Sequence, residues 1–342
     1  MAVMLPLCKK FICVRTFYIA LIAFFVGFGL NFYFSLQQRD GVNVSLPRHE
    51  KTVHEGYEKR DTSVPSHLSP RGDNTKIIFN VLPKTGSKDL FMLVKDVVLY
   101  LNREIDIKTT MNPNLTRSYD DKLDEIREFV RSPGMGFLYT YMRYFKFQDD
   151  TGKPTYISIV SDPIDRLASH YQYFINENCR ERELKKTGER QNCKYESFEE
   201  CVLNNGDLCK SRGDLVGHFC GTDKHPCKSH VRSSRAYARA LFNIQNNYVT
   251  IGITEDFEGF IKILEKLLPN VFNGCSQIYH QRKSVYKAQA EQLKQTIISE
   301  EARNILMKRL SVDYRLYNFI KEKYRNTKQE LGIIDLSSWM PL

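Results

Sequence analysis

Five consecutive residues are suited to binding an anion: Pro83, Lys84, Thr85, Gly86 and Ser87. Lys84 offers an ammonium, two residues offer hydroxyls, and the glycine lets a ligand approach the backbone closely. This turn follows an apolar run at 76–82 and precedes a helical pattern at 87–104. A turn from strand into helix directs unpaired backbone N–H groups and the positive end of the helix dipole at one point. The sequence therefore predicts a site for a phosphate-like anion, with an ordinary turn and a solvent-facing lysine as the alternative.

A second group of polar residues follows the apolar run 155–160: Asp162, Arg166, Ser169 and His170. Asp162 and Pro163 are a typical N-cap and first residue of a helix. On that helix Arg166 and Ser169 are three residues apart and share a face. Ligands of open α/β sheets bind at such strand ends, which favours a shared site with the turn. The alternative is a structural arginine paired with Asp162 or Asp165.

The elements that must position these residues alternate along the chain. Short apolar, β-branched runs at 76–82, 155–160 and 248–253 are predicted strands, and a helical pattern follows each one. Repeated strand-then-helix units predict an α/β fold with a central parallel sheet flanked by helices. A further amphipathic helix at 310–325 is predicted to cover the core.

Composition limits the classes of protein and of partner. A chain of 342 residues with 42% hydrophobic residues can bury a large core and is not disordered. Its formal charge of +10 favours a polyanion: nucleic acid, anionic lipid or acidic polysaccharide. A Walker A loop requires lysine directly after Gly86, where Ser87 stands, so a kinase or NTPase is disfavoured.

An uncharged stretch at 16–38 is long enough to cross a membrane. Basic residues precede it, so it is predicted to be a transmembrane signal anchor with residues 1–15 in the cytosol. A polar, proline-containing stem would cover 39–74, and a lumenal domain would cover 75–342. Lumenal placement disfavours nucleic acid as a partner. A cleaved signal peptide and a buried helix are the alternatives.

Seven of the nine cysteines lie beyond this stretch, and lumenal placement predicts disulfides among them. Their spacings suit three locally closed loops, which would pair Cys201 with Cys209, Cys220 with Cys227, and Cys179 with Cys193. A zinc site using Cys220, Cys227 and His230 is the alternative. Glycosylation sequons at Asn43 and Asn114 agree with a secretory-pathway protein.

Several separate blocks of sequence carry a resemblance to a known family. The pairing of PKTGS with DPIDRLASHY resembles sulfotransferases that use 3′-phosphoadenosine 5′-phosphosulfate (PAPS). Four later blocks resemble, in order and spacing, the glycosaminoglycan uronyl 2-O-sulfotransferases, including heparan sulfate 2-O-sulfotransferase, uronyl 2-O-sulfotransferase and Pipe: SFEECVLNNGDLC, HFCGTDKHPC, ARALFNIQNNYVTIGITEDFEGFIKILEKLLPNVFNG and YHQRKS.

The resemblance implies a fold, an activity and a location. The fold would be the P-loop-like PAPS sulfotransferase fold behind one transmembrane helix. The activity would be transfer of sulfate from PAPS, without a metal, to the 2-O position of uronic acids in an acidic polysaccharide acceptor. The protein would be a single-pass type II protein of the Golgi membrane and a possible homotrimer.

The resemblance also implies roles for individual residues. Lys84 and its turn would hold the 5′-phosphosulfate and stabilise the charge that develops as the sulfuryl group leaves. Ser169 would contact the 3′-phosphate. A late cofactor-binding loop would consist of Arg282, Lys283 and Ser284.

Three positions depart from the family pattern. Ser161 stands where the family has an arginine for the 3′-phosphate, Val81 replaces an acceptor-binding arginine, and Tyr141 replaces the histidine base. A tyrosine, with a reference pKa of about 10, is a poorer base at neutral pH than histidine at about 6.5. A neighbouring cation that lowers the pKa of Tyr141, a base supplied by His170, and a shifted alignment are the possible explanations. A catalytically weakened paralogue that binds glycan or a partner enzyme is the second hypothesis.

Overall fold

The computed structural model describes residues 64–68, 73–110, 119–147, 153–175, 195, 197–210, 214–222, 224–282 and 297–333. A five-stranded sheet lies at its centre. The strands are β1 (Asp73–Asn80), β2 (Asp106–Thr109), β3 (Gly136–Thr140), β4 (Pro154–Val160) and β5 (Tyr248–Ile253). Their order is β2-β3-β1-β4-β5, and every neighbouring pair is parallel. The predicted α/β fold with a parallel central sheet is confirmed.

Helices flank this sheet and follow the strands along the chain. In order they are α1 (Ser87–Tyr100), α2 (Tyr119–Arg131), α3 (Pro163–Phe174), α4 (Phe198–Leu203), α5 (Asp214–Cys220), α6 (Ser234–Asn247), α7 (Phe257–Leu267), α8 (Pro269–Phe272), α9 (Cys275–Gln281), α10 (Glu300–Arg309) and α11 (Ser311–Glu330). The side chain of Asp162 caps α3 by accepting from the amides of Ile164 and Asp165, as the sequence predicts. Helix α7 ends just before Pro269, which begins α8 instead.

Residues 76–80 of β1 and all residues of β4 are buried, because helices cover both faces of the sheet. Ile77 and Phe79 of β1 and Ile157 and Ile159 of β4 are fully buried. The strands β2 and β3 were not predicted from the sequence. β2 is a polar four-residue strand at the edge of the sheet, and β3 is a five-residue strand that pairs with both β1 and β2.

The order of the strands places a switch point at β1. From β1 the chain passes to β2 and β3 on one side and then to β4 and β5 on the other. Crevices that bind ligands form at the carboxyl ends of strands where the direction of winding changes. The predicted anion-binding turn, at 83–87, occupies this position.

Several predictions fall outside the described residues. They concern the cytoplasmic tail, the span at 16–38, most of the stem, the sequons at Asn43 and Asn114, and the Cys179–Cys193 pair. Among the helices that the structure describes, none has the length and apolar character needed to cross a membrane.

Candidate active site

The helix α1 begins beside the end of β1 without a side-chain cap. Its N-cap residue is Gly86, whose φ of 70° and ψ of 11° lie in the left-handed region that glycine adopts readily. By contrast, Asp162, Ser233 and Asp256 accept hydrogen bonds from the first-turn amides of α3, α6 and α7. The first turn of α1 therefore directs N–H groups and the helix dipole at a point where an anion can bind.

Hydrogen bonds fix the backbone of the turn. The hydroxyl of the fully buried Thr85 donates to the Leu82 carbonyl at 2.8 Å. The Thr85 carbonyl accepts from the hydroxyl of Thr254 at 2.8 Å, and the Lys84 carbonyl accepts from Ser161 at 3.4 Å. The side chains of Thr85 and Ser161 therefore shape the turn, and its amides remain the groups suited to a ligand.

Lys84 is the cation of the turn and has an unusual backbone conformation. Its φ is 66°, which a non-glycine residue rarely adopts, while the preceding Pro83 is exposed. The ammonium of Lys84 lies 3.7 Å from the ring centroid of Tyr173 on α3. Tyr173 was not predicted as a site residue, although it lies four residues after Ser169 and so shares a helix face with it.

His170 lies on α3 and interacts electrostatically with Lys84. Partial burial and the positive charges of Arg166 and Lys84 lower the pKa of His170 below its usual value, while Asp214 opposes the shift. The imidazole is therefore mainly neutral at neutral pH, as a general base must be.

Arg166 is a buried cation beneath this part of the site. Only 5% of its surface is exposed, and its guanidinium forms an ion pair with Asp214 of α5 at 3.3 Å. The carboxylate of Asp162 accepts from the Tyr314 hydroxyl at 2.8 Å as well as capping α3. Ser169 lies one turn beyond Arg166 and is half-buried.

Two tyrosines connect the end of β3 to the anion turn. The hydroxyls of Tyr139 and Tyr141 are 2.8 Å apart, and the Tyr139 hydroxyl is 3.4 Å from that of Ser87. Burial raises the pKa of Tyr139 well above its usual value. The Tyr141 hydroxyl thus belongs to a polar network that reaches the first turn of α1. Tyr139 was not predicted as a site residue, because β3 was not predicted from the sequence.

Asp89 is an acidic residue in the first turn of α1. Its burial raises the pKa of its carboxyl to about 6, and the charge of Lys88 partly opposes this shift. A carboxylate near an anion site is unfavourable for binding an anion, although Asp is common near the N-termini of helices. Sequence spacing gives no indication that this position is buried.

Arg282 is placed away from the turn. Its guanidinium forms an ion pair with Asp96 at 2.6 Å and lies 5.7 Å from the ring centroid of Tyr100. Asp96 is nine residues beyond Ser87, or about 14 Å along the helix axis. The other two residues of the predicted late loop lie outside the described chain: Lys283 and Ser284.

His218 is a buried histidine behind the end of β1. Burial, together with the charges of Arg166 and Arg143, lowers the pKa of His218 to about 3, although a hydrogen bond to the backbone of Asn80 opposes the shift. Its Nε2 atom has no hydrogen-bond partner among the residues that the structure describes. Nothing in the sequence pattern indicated this histidine.

The cysteines form two of the three expected pairs within the described chain. Cys201 is bonded to Cys209, and Cys220 to Cys227. Because the sulfurs of Cys220 and Cys227 are bonded to each other, they cannot serve as zinc ligands, and the alternative zinc site with these cysteines is wrong. Cys275 is buried and has no disulfide partner among the residues that the structure describes.

The fold and the anion-binding turn define a class of protein. The chain belongs to the sulfotransferase family, whose model matches residues 71–320. This range contains all five strands that the structure describes and all of the turn. Sulfotransferases transfer a sulfuryl group, a reaction that depends on positioning and on cations near the developing charge.

The curated relatives with which this chain aligns include two kinds of 2-O-sulfotransferase. Human uronyl 2-sulfotransferase is 26% identical over 281 residues, covering 78% of this chain and 67% of the relative. Heparan sulfate 2-O-sulfotransferase 1 of Pongo abelii is 28% identical over 305 residues, covering 84% and 82%. The crystal structure of mouse sulfotransferase SULT7A1 complexed with PAP has a TM-score of 0.31 and 14% identity, covering 68% of this chain and 88% of that one.

Proposed function

We propose that this protein transfers sulfate from PAPS to the 2-O position of uronic acids in a glycosaminoglycan. The observation that carries the proposal is the uncapped amino terminus of α1, next to Lys84, at the switch point of a sulfotransferase sheet. The similarity to uronyl 2-sulfotransferase and heparan sulfate 2-O-sulfotransferase 1 supports the acceptor class. The formal charge of +10 suits an acidic polysaccharide.

The residues present fit the phosphosulfate of PAPS. Because Gly86 is the N-cap residue, the first amides of α1 have no side-chain acceptor. Glycine has no Cβ atom, so the phosphosulfate can approach the backbone closely. Lys84 adds a positive charge at the same turn, and Ser169 lies on the neighbouring helix, where it would contact the 3′-phosphate. Without the family arginine at position 161, the 3′-phosphate would be held less strongly.

Different residues of the chain have different roles in the transfer. When bound, PAPS supplies an activated sulfuryl group whose bond to the 5′-phosphate breaks as a bond to the acceptor oxygen forms. Lys84 and the first amides of α1 stabilise the negative charge that develops on the phosphate side. His170 accepts the proton of the acceptor hydroxyl, since its imidazole is neutral and interacts with Lys84. Tyr141, held by Tyr139, orients the acceptor.

The location follows from the same proposal. The uncharged stretch at 16–38 with basic residues before it supports a single-pass type II protein of the Golgi membrane. The resemblance to the 2-O-sulfotransferases supports a homotrimer. Glycosidase sensitivity of Asn43 and Asn114 tests the lumenal placement, and light scattering of the purified chain tests the oligomeric state.

A transfer assay tests the activity. The full-length chain, purified in mild detergent, is incubated with PAPS carrying labelled sulfate and with desulfated heparan or dermatan. We expect label at the 2-O position, a loss of about 10²-fold or more in Lys84→Ala, and little change in Lys88→Ala, which removes an exposed neighbouring cation. Unlabelled acceptors throughout would contradict the activity.

A binding assay distinguishes a chain that binds the cofactor but does not transfer sulfate from one that does not bind the cofactor. PAP at 100 times its dissociation constant should stabilise the folded chain by about 2.7 kcal/mol. A thermal shift with PAP but no transfer to any acceptor would instead support the weakened paralogue. Absence of any shift at millimolar PAP would show that the turn does not bind this nucleotide.

A further inference from the structure

The loop between α5 and α6 brings two imidazoles and a hydroxyl together. The Nδ1 atoms of His225 and His230 are 3.1 Å apart. The hydroxyl oxygen of Ser229 is 3.2 Å from the first of these nitrogens and 2.9 Å from the second. All three residues are exposed. Three atoms with ligand chemistry therefore form a nearly equilateral triangle at the surface.

The size of this triangle suits a metal ion. A tetrahedral zinc ion with bonds of about 2.05 Å holds its ligand atoms about 3.3 Å apart. The three observed separations, 3.1, 3.2 and 2.9 Å, are only slightly shorter. An ion could lie about 1 Å above the plane of the triangle and contact all three atoms, with solvent at the fourth position.

The separation of the imidazole rings also suits two ligands of one ion. Their centroids are 4.9 Å apart and their planes are at 88°. Two imidazoles whose Nδ1 atoms are 3.1 Å apart and point at one zinc ion would have centroids about 4.9 Å apart. A head-on N–H···N hydrogen bond of the same length would separate the centroids by about 5.4 Å. The observed centroid separation equals the value expected for two ligands of one ion.

We propose that His225, Ser229 and His230 form a binding site for a divalent transition metal ion, namely zinc. Imidazole nitrogen is a preferred ligand of zinc, whereas a neutral hydroxyl is a weak one. The described residues contain no group of three or more His, Cys, Asp or Glu side chains that could hold a metal ion, and the proposed site has two imidazoles with the weaker Ser229 hydroxyl as the third ligand. The exposure of the three side chains and the positive charge of the neighbouring Lys228 weaken the binding of a cation.

This metal site is separate from the sulfate donor site but connected to it. Cys227 lies in the segment 225–230, whose two ends the metal ion would join. Its carbonyl accepts a hydrogen bond from the guanidinium of Arg143 at 2.8 Å. Arg143 is two residues from Tyr141. A bound ion would therefore stiffen the loop that supports the segment after β3, without contacting the donor.

Zinc titration of the full-length chain in mild detergent tests the proposal. After chelator treatment and desalting, calorimetry with Zn²⁺ should show one saturable equivalent that the His225→Ala/His230→Ala variant loses. Tetrahedral Co²⁺ should give visible absorption bands that the same variant lacks. The Ser229→Ala variant should bind several-fold more weakly.

Controls keep the result interpretable. The His280→Ala variant removes another exposed histidine and should retain the equivalent. Thermal unfolding and PAP binding of the double variant should match those of the unsubstituted chain without metal, which shows that the fold and the donor site are intact. Equal zinc stoichiometry in the double variant, or no saturable binding by the unsubstituted chain up to millimolar zinc, would overturn the proposal.

Discussion

The ammonium of Lys84 lies over the ring of Tyr173, 3.7 Å from its centroid. This contact joins the turn after β1 to the helix after β4. It holds the cation of the anion-binding turn close to the helix that carries Ser169 and His170. A cation–π contact at a partly exposed position contributes about 0.5–1 kcal/mol.

Replacing the ring therefore tests how Lys84 is positioned. We expect Tyr173→Leu to lower kcat/KM for sulfate transfer by about two- to fivefold, because the ammonium loses its support. The Tyr173→Phe variant keeps the ring and should retain most of the activity. If both variants lose activity equally, the hydroxyl rather than the ring is the important group.

Substitutions at His170 and Tyr141 test the identity of the base. His170→Asn should lower kcat by about 10²-fold or more and remove the acidic limb of the pH–rate profile, because the proton acceptor is lost. Tyr141→Phe should have a smaller effect, and Tyr141→His should raise the rate by adding a second imidazole. Full activity of His170→Asn would exclude this histidine, and no gain in Tyr141→His would show that position 141 does not carry the base.

Because Asp89 is buried, its replacement by asparagine is predicted to stabilise the folded chain, and by more at neutral pH than at acidic pH. Its pKa is about 6 in the folded chain, against a usual value of 3.8. The folded state therefore binds more protons than the unfolded state between these values, and stability falls as pH rises from about 3.8 to about 6. Asp89→Asn should raise the free energy of unfolding by about 1–2 kcal/mol at pH 7.5 and by less at pH 4.5. Urea titrations at the two pH values measure the difference, and an equal gain at both would contradict it.

The burial of His218 predicts sensitivity to acid. Its pKa is about 3 in the folded chain, against a usual 6.5, so its contribution is complete above pH 6.5 and is lost as pH falls towards 3. Between pH 7.5 and pH 5 this loss amounts to about 2 kcal/mol. His218→Phe fills the same buried position without a titrating group and should reduce the loss of stability over this interval. An unchanged pH dependence in urea unfolding would show that His218 is protonated as easily as in the unfolded chain.

Local features of the sequence predicted much of the fold. The apolar runs at 76–82, 155–160 and 248–253 correspond to β1, β4 and β5, and Asp162 and Pro163 mark the start of α3. These features depend on neighbouring residues, so they can be read without knowledge of the rest of the chain. The short strands β2 and β3 were missed because a four- or five-residue strand has too little periodicity.

Contacts between distant residues could not be predicted in the same way. Arg166 pairs with Asp214, which is 48 residues away, and the Tyr139–Tyr141 network reaches Ser87 only because β3 lies beside β1. No spacing rule encodes such partners, since they depend on the order of strands in the sheet. The cluster formed by His225, Ser229 and His230 is local in sequence, but the bend of its loop sets the distances, and residue spacing alone does not give that bend.

Short-range order in the chain was enough to predict the strand–turn–helix units, the anion-binding turn with Lys84, and the family resemblance. The side chains around Lys84 emerged only from the folded arrangement, since Tyr173 and His170 reach it from a helix that follows a different strand. That arrangement also makes Asp89 and His218 titrate abnormally, because burial removes their charges from water and only the packed fold determines burial.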